Sequence, residues 1–158
     1  MHKYVGIVII AILIGFTACR KPTHFSDDES LKISFSTDTV AFDTVFTSIG
    51  SSTRQLMIYN NNNENLKINS IRLERGNQSQ FSINVDGQSG YKFSDVEIYS
   101  KDSIYVFVRV TINPNDQNNP FFVEDRLIFE TNGNRQLISL TAYGQNANYI
   151  VADQYING

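Results

Sequence analysis

Cysteine occurs once in 158 residues and histidine twice. One thiol leaves no disulfide framework, and one Cys with two His is too few soft ligands for a His/Cys metal cluster. Neither a metal nor any other cofactor is expected. The shortage of histidine also bears on catalysis, because a Ser- or Cys-based hydrolase needs an imidazole within reach of its nucleophile. His2 lies in the amino-terminal apolar segment and His24 just beyond it, so the remainder of the chain has none. Basic residues are few as well: 13 Lys and Arg against 16 Asp and Glu give a net charge of −3. No basic stripe is present to hold a phosphate backbone, and nucleic acid is not expected as a partner. What the chain does have is a 41% hydrophobic content with 18% charged residues, enough for one packed domain and unlike a disordered or collagen-like chain.

The first residues carry His2 and Lys3, then an apolar run from Val5 to Ile14 broken only by Gly6. The apolar stretch from Tyr4 to Ala18, about 15 residues, falls short of the roughly 20 that a spanning helix needs, so it reads as an export signal. Phe16-Thr17-Ala18-Cys19 closes it and resembles the bacterial lipobox, with Phe16 where Leu is usual. The resemblance implies that Cys19 is coupled to diacylglycerol and becomes the new amino terminus. Each buried methylene of such an anchor contributes about 0.8 kcal/mol, so several acyl chains hold a domain stably at a bilayer. Arg20 follows where an Asp would imply inner-membrane retention, which favours the outer membrane, periplasmic or surface facing. The expected organisation is a signal over 1–18, the lipidated Cys and a flexible tether over 19–30, a folded domain over 31–146 and an extension over 147–158.

Beyond the tether almost every signal is β. Residues 103–112 place Ile104, Val106, Val108, Val110 and Ile112 on one face and Tyr105, Phe107, Arg109 and Thr111 on the other. Strand-like runs recur at Leu31–Phe35, Val40–Phe46, Arg54–Tyr59, Leu66–Leu73, Phe81–Val85, Val123–Phe129 and Gln136–Ala142, most bounded by Asn, Gly, Asp or Ser. Within Leu66–Leu73 the apolar phase slips near Asn69-Ser70, the signature of a β-bulge. Asn132-Gly133, between two runs, predicts a type I′ hairpin turn. With no amphipathic helix in the exported part, the fold class is all-β: an antiparallel immunoglobulin-like sandwich of about seven to nine strands.

Phe46-Thr47-Ser48-Ile49-Gly50-Ser51-Ser52, Leu56 to Asn60, Leu66 to Leu73 and Phe81-Ser82-Ile83 resemble the first half of the abnormal-spindle/hydin type of immunoglobulin-like domain. Lys101-Asp102-Ser103, Ile112-Asn113-Pro114 and Leu140-Thr141-Ala142-Tyr143-Gly144 resemble its second half, in the right order. The arrangement is also similar to the amino-terminal region of larger surface lipoproteins of Gram-negative bacteria, where such a domain precedes a β-helix. Gln145 to Gly158 is too short for a β-helix, which implies a shortened relative or a truncated product.

Candidate chemistry is sparse. Glu124 and Glu130 share strand parity but lie about 20 Å apart at roughly 3.3 Å per residue, beyond the 5 to 10 Å that a glycosidase pair needs. Asp116 in the Asn113–Asn119 stretch is one carboxylate among amides and is not taken as a metal site. Tyr105, Phe107, Phe121 and Phe122 are candidate ligand contacts, able to stack on sugar rings or on a partner strand. Asp38-Thr39-Val40, Asp43-Thr44-Val45 and Asp102-Ser103-Ile104 resemble a periplasmic O-glycosylation sequon, which implies Thr39, Thr44 and Ser103 as acceptors; Asp followed by Thr or Ser also suits strand starts. The expectation is a non-enzymatic lipoprotein whose domain is a binding, spacer or assembly module with a protein or glycan partner. The alternative is a glycan-binding or carbohydrate-processing accessory lipoprotein.

Overall fold

In a computed structural model of the chain the described residues are 24–46, 53–111 and 122–145, with only the backbone described at 44–46 and 144–145. They form ten strands: β1 (Ser34–Phe35), β2 (Thr39–Phe46), β3 (Thr53–Tyr59), β4 (Leu66–Leu73), β5 (Phe81–Val85), β6 (Gln88–Gly90), β7 (Lys92–Ile98), β8 (Ser103–Val110), β9 (Phe122–Thr131) and β10 (Asn134–Gln145). A single turn of 3₁₀-helix at Gly76–Gln78 is the one helical element among the described residues, and no described helix is long and apolar enough to cross a membrane. One sheet has the order β1-β3-β8-β5-β6 and the other β2-β10-β9-β4-β7.

The apolar alternation sets the layers. Val106, Val108 and Val110 of β8 are buried between the sheets, whereas Tyr105, Phe107, Arg109 and Thr111 are exposed. Phe42, Phe81 and Phe129 join Leu56, Ile58, Leu66 and Leu127 in the same core, so side chains of both sheets interdigitate as in a β-sandwich. Asn132 and Gly133 have φ of 50° and 75°, and Thr131 faces Asn134 across the turn, which is the expected type I′ hairpin between β9 and β10. The slip in β4 is also present: its register against β9 shifts between Ile68 and Ser70.

Three features differ from the sequence expectation. The sandwich is not wholly antiparallel: β2 runs parallel to β10, from Thr39 beside Ser139 to Phe46 beside Gln145. The chain leaves β1 by stepping across to the facing sheet instead of turning back, so β2 cannot form a hairpin with its predecessor. The strand count exceeds seven to nine because β6 and β7 form at sheet edges. β7 escapes a period-two reading because its phase also slips, with Ile98 and Val96 inward and then Phe93, while the intervening Asp95 adopts a φ of 56°. The slips in β4 and β7 lie at one level, since Ile68 faces Val96 and Ser70 faces Ser94 with Asn69 and Asp95 between them.

The third difference concerns 19–30, expected as a flexible tether. From His24 onward that segment is docked. Ser26 bridges Leu66 and donates its N–H to the Asn65 carbonyl at 2.9 Å. The Phe25 ring packs 6.0 Å from Tyr99, with Lys67 Nζ 5.3 Å above its face. Asn132 and Asn134 donate side-chain N–H bonds to the Asp28 and Glu29 carbonyls at 3.0 and 2.8 Å. Asp28 turns the segment by accepting from the Ser30 N–H, a bond that, with the Ser30 hydroxyl, holds its carboxyl below the ordinary range.

Two stability predictions follow from this register. Val108→Ala empties fully buried space and is expected to cost about 1 to 3 kcal/mol in denaturant unfolding, against under about 0.5 kcal/mol for Thr111→Ala; the reverse ranking would refute the inward face of β8. Gly133→Val forces a β-branched residue to positive φ and should cost about 1 to 2 kcal/mol, whereas Gly133→Asn should be mild. Equal thermal midpoints for these two variants would mean that the turn is of another type.

Candidate functional site: a groove between two sheet edges

The chain passes from the edge of one sheet to the edge of the other through Tyr91, between β6 and β7. On this side a groove of about 650 Å³ opens, lined by Val85–Gln88, Phe93–Glu97, Tyr99, Ser103–Tyr105 and Phe107. Each wall has a local cause. Asp86-Gly87 makes a two-residue turn with φ of 51° and 81°, pairing Val85 with Gln88. Gly90 leaves room for Phe93, whose ring would stand 3.2 Å from a Cβ at that position. Strand parity puts Tyr105 and Phe107 on the outer face of β8, with ring centroids 6.4 Å apart, planes at 23° and exposures of 46% and 42%.

The groove's charge has one sign. Among the described residues Asp86, Asp95 and Glu97 line it, all exposed, and no Lys or Arg does. The ion pairs found among the described residues involve Asp43, Glu74 and Glu130, none of these three. Glu97 accepts a hydrogen bond from the Tyr99 hydroxyl at 3.1 Å. The left-handed backbone at Asp95 costs on the order of 1 kcal/mol and marks where β7 bends at the groove wall.

The wall is held from beneath by Asn60, a residue fully buried after β3. Its Nδ2 donates to the carbonyl oxygens of Glu64, Ile98 and Tyr99 at 2.8, 3.1 and 3.0 Å. Its Oδ1 accepts from the N–H and Nδ2 of Asn62 at 3.0 and 2.9 Å. Asn65 reaches both ways, accepting from the Ser100 N–H and donating to the His24 carbonyl. Asn61 and Asn62 add bonds to the Ser34 hydroxyl and the Lys32 carbonyl. The run expected to be a polar connection is therefore a hub that ties the end of β7 to the amino-terminal segment.

Of the residues singled out from sequence, Tyr105 and Phe107 come together in the groove, and Ser103 lies half-buried in its lining. Phe122 is elsewhere: it sits on the other sheet against Tyr143, with centroids 5.2 Å apart. Thr39 is exposed at the start of β2, and Thr44 lies in that strand by its backbone. Cys19, Phe121 and Asp116 lie outside the described residues. Glu130 is engaged with Arg72 at 3.4 Å and Glu124 is exposed on the same strand. Asp125 is buried and accepts from the Arg75 and Arg126 N–H groups, fastening the turn after β4. Among the described residues no three His, Cys, Asp or Glu are grouped to hold a metal. Sequence reasoning missed the three groove carboxylates; Asp86-Gly87 after an apolar run was the available signal, a strong hairpin dipeptide.

Strand order assigns the class. The order β1-β3-β8-β5 reproduces the A-B-E-D sheet of an immunoglobulin constant-type sandwich, and β4-β9-β10 its C-F-G sheet, with β7 added beside C. No family profile matches the chain and no curated protein is significantly similar to it. Among solved structures, a protein of unknown function from Porphyromonas gingivalis W83 aligns with a TM-score of 0.54 at 12% identity, over 70% of this chain. This chain spans 46% of that protein's length. The ASH/PapD-like domain 7 of human CEP192 aligns at 0.47 and 11% identity over 84% of this chain and 96% of that domain. The CsuC-CsuE chaperone-tip adhesion subunit complex of Acinetobacter baumannii aligns at 0.42 and 16% identity over 72% and 52%. The chain is an immunoglobulin-like β-sandwich.

Asn60→Ala removes the side-chain donor shared by the Glu64, Ile98 and Tyr99 carbonyls and is expected to cost about 1 to 3 kcal/mol. Asn60→Asp should cost at least as much at neutral pH despite its shape, because a carboxylate would face three carbonyl oxygens. Chemical denaturation measures both; a tolerated Asp would show that the Nδ2 bonds do not hold the wall.

Proposed function

We propose that this chain is a non-catalytic cell-envelope lipoprotein, anchored through Cys19 to the outer membrane, whose immunoglobulin-like domain binds a partner in the groove between β5, β7 and β8. The observation that carries the reading is the exposed Tyr105–Phe107 stack on β8, in the lining of a groove large enough for several side chains. A spacer has no use for two aromatic rings held in water, whereas a binding surface does. The lipobox resemblance supports the anchor, and the ordered motifs support kinship with the abnormal-spindle/hydin type. The near absence of histidine supports a binding role over hydrolysis. The same aromatic pair carries the second reading, a glycan-binding accessory lipoprotein, because adjoining flat rings also stack on sugars. Thr39, exposed where Ser103 is half-buried, is well placed to accept a glycan itself.

Two measurements test this reading. Cys19→Ser is expected to abolish metabolic palmitate labelling and globomycin-sensitive processing; a Ser variant that is still labelled would refute the anchor. A photo-crosslinking residue at Tyr105 in intact cells should give discrete adducts, and one at Phe122 should not. Adducts equal at both positions, or none at Tyr105, would refute the groove as the binding face, and a glycan array with the full chain in detergent separates the second reading from the first.

A further inference from the structure

Resting on the groove reading, we infer that the natural occupant is a protein segment bearing Arg or Lys side chains. Three carboxylates from two different elements, Asp86 in the β5–β6 turn and Asp95 and Glu97 on β7, line one groove whose walls hold no basic residue among the described residues. Charge on β7 by itself has a simpler use, since exposed charges on an edge strand discourage edge-to-edge pairing. That use does not extend to Asp86, which is in a turn, or to the two rings that line the same groove from β8. Together they suit a cationic side chain: an apolar stem or guanidinium plane lies on the Tyr105 and Phe107 faces while its charge meets Asp86, Asp95 or Glu97. A neutral sugar would use the rings but gain little from three carboxylates that lack an ion-pair partner among the described residues, and an anionic partner would be repelled.

The test exploits the backbone. Asp86 and Asp95 have φ of 51° and 56°, a region that Asn tolerates well, so Asp86→Asn, Asp95→Asn and Glu97→Gln together remove the charge without disturbing the fold. A fluorescent ten-residue peptide alternating Arg and Thr serves as the probe, with Glu-Thr and Gln-Thr peptides beside it, on the full chain in detergent. The Arg peptide should bind with amide NMR shifts confined to the groove, weaken about tenfold or more in the triple-amide variant, and weaken with added salt. Tyr105→Ala with Phe107→Ala should weaken it too. No binding of the Arg peptide, equal binding of the Gln-Thr peptide, or an unchanged affinity in the triple-amide variant would each overturn the cationic partner. If a glycan or neutral ligand shifts the groove and depends on Tyr105 but not on the carboxylates, the groove reading stands and this inference falls. Shifts that map to another face dispose of both.

Discussion

The buried amide of Asn60 is the constraint on which the functional side of the molecule depends. A sandwich core is non-directional: apolar area drives the two sheets together but does not say where an edge strand ends. Five directional contacts to the fully buried Asn60 side chain do say so, because a buried polar group left without a partner carries a desolvation penalty. By gripping the Ile98 and Tyr99 carbonyls, Asn60 ends β7 at a fixed point; the Asn62 carbonyl then accepts from the Ser100 hydroxyl and the Lys101 N–H, two residues before β8 begins. Tyr99 in turn holds Glu97. The placement of a groove carboxylate thus goes back to a side chain that never reaches the groove.

How much of this could be read beforehand depended on whether the signal was local. The inward valines of β8, the Asn132-Gly133 turn and the slip at Asn69-Ser70 are each written within a few neighbouring residues, and each is where the sequence put it. β7 was not legible: an edge strand needs only one buried face, and the αL residue at Asp95 breaks what alternation remains. The run from Asn60 to Asn65 read as solvated loop because its composition is that of one, and nothing nearby in sequence reveals partners at 24–34 and 98–101. The candidate site divides the same way. Tyr105 and Phe107 were visible from strand parity, whereas their company of Asp86, Asp95 and Glu97 is a product of topology. Phe122, alike in composition, ended on the opposite sheet.

Ion pairs are divided unequally across the sandwich. The outer face of β4, β9 and β10 is laced by Arg72, Arg126 and Arg135 with Glu74 and Glu130, pairs half-exposed and each worth little. On the groove side Asp86, Asp95 and Glu97 stand without such partners among the described residues. Charges of both signs are present in the chain in near balance; it is their segregation that gives the groove its character.

The parallel pairing of β2 with β10 has a kinetic consequence. Thr39 meets Ser139 across a separation on the order of a hundred residues, and β10 must also take its place beside β9. The β9–β10 hairpin can close early because its loop is two residues long, yet the seat for β2 exists only after that hairpin forms. β2 is therefore the last of these three strands to be enclosed, and a chain still emerging from a ribosome keeps β2 without its seat until β10 arrives.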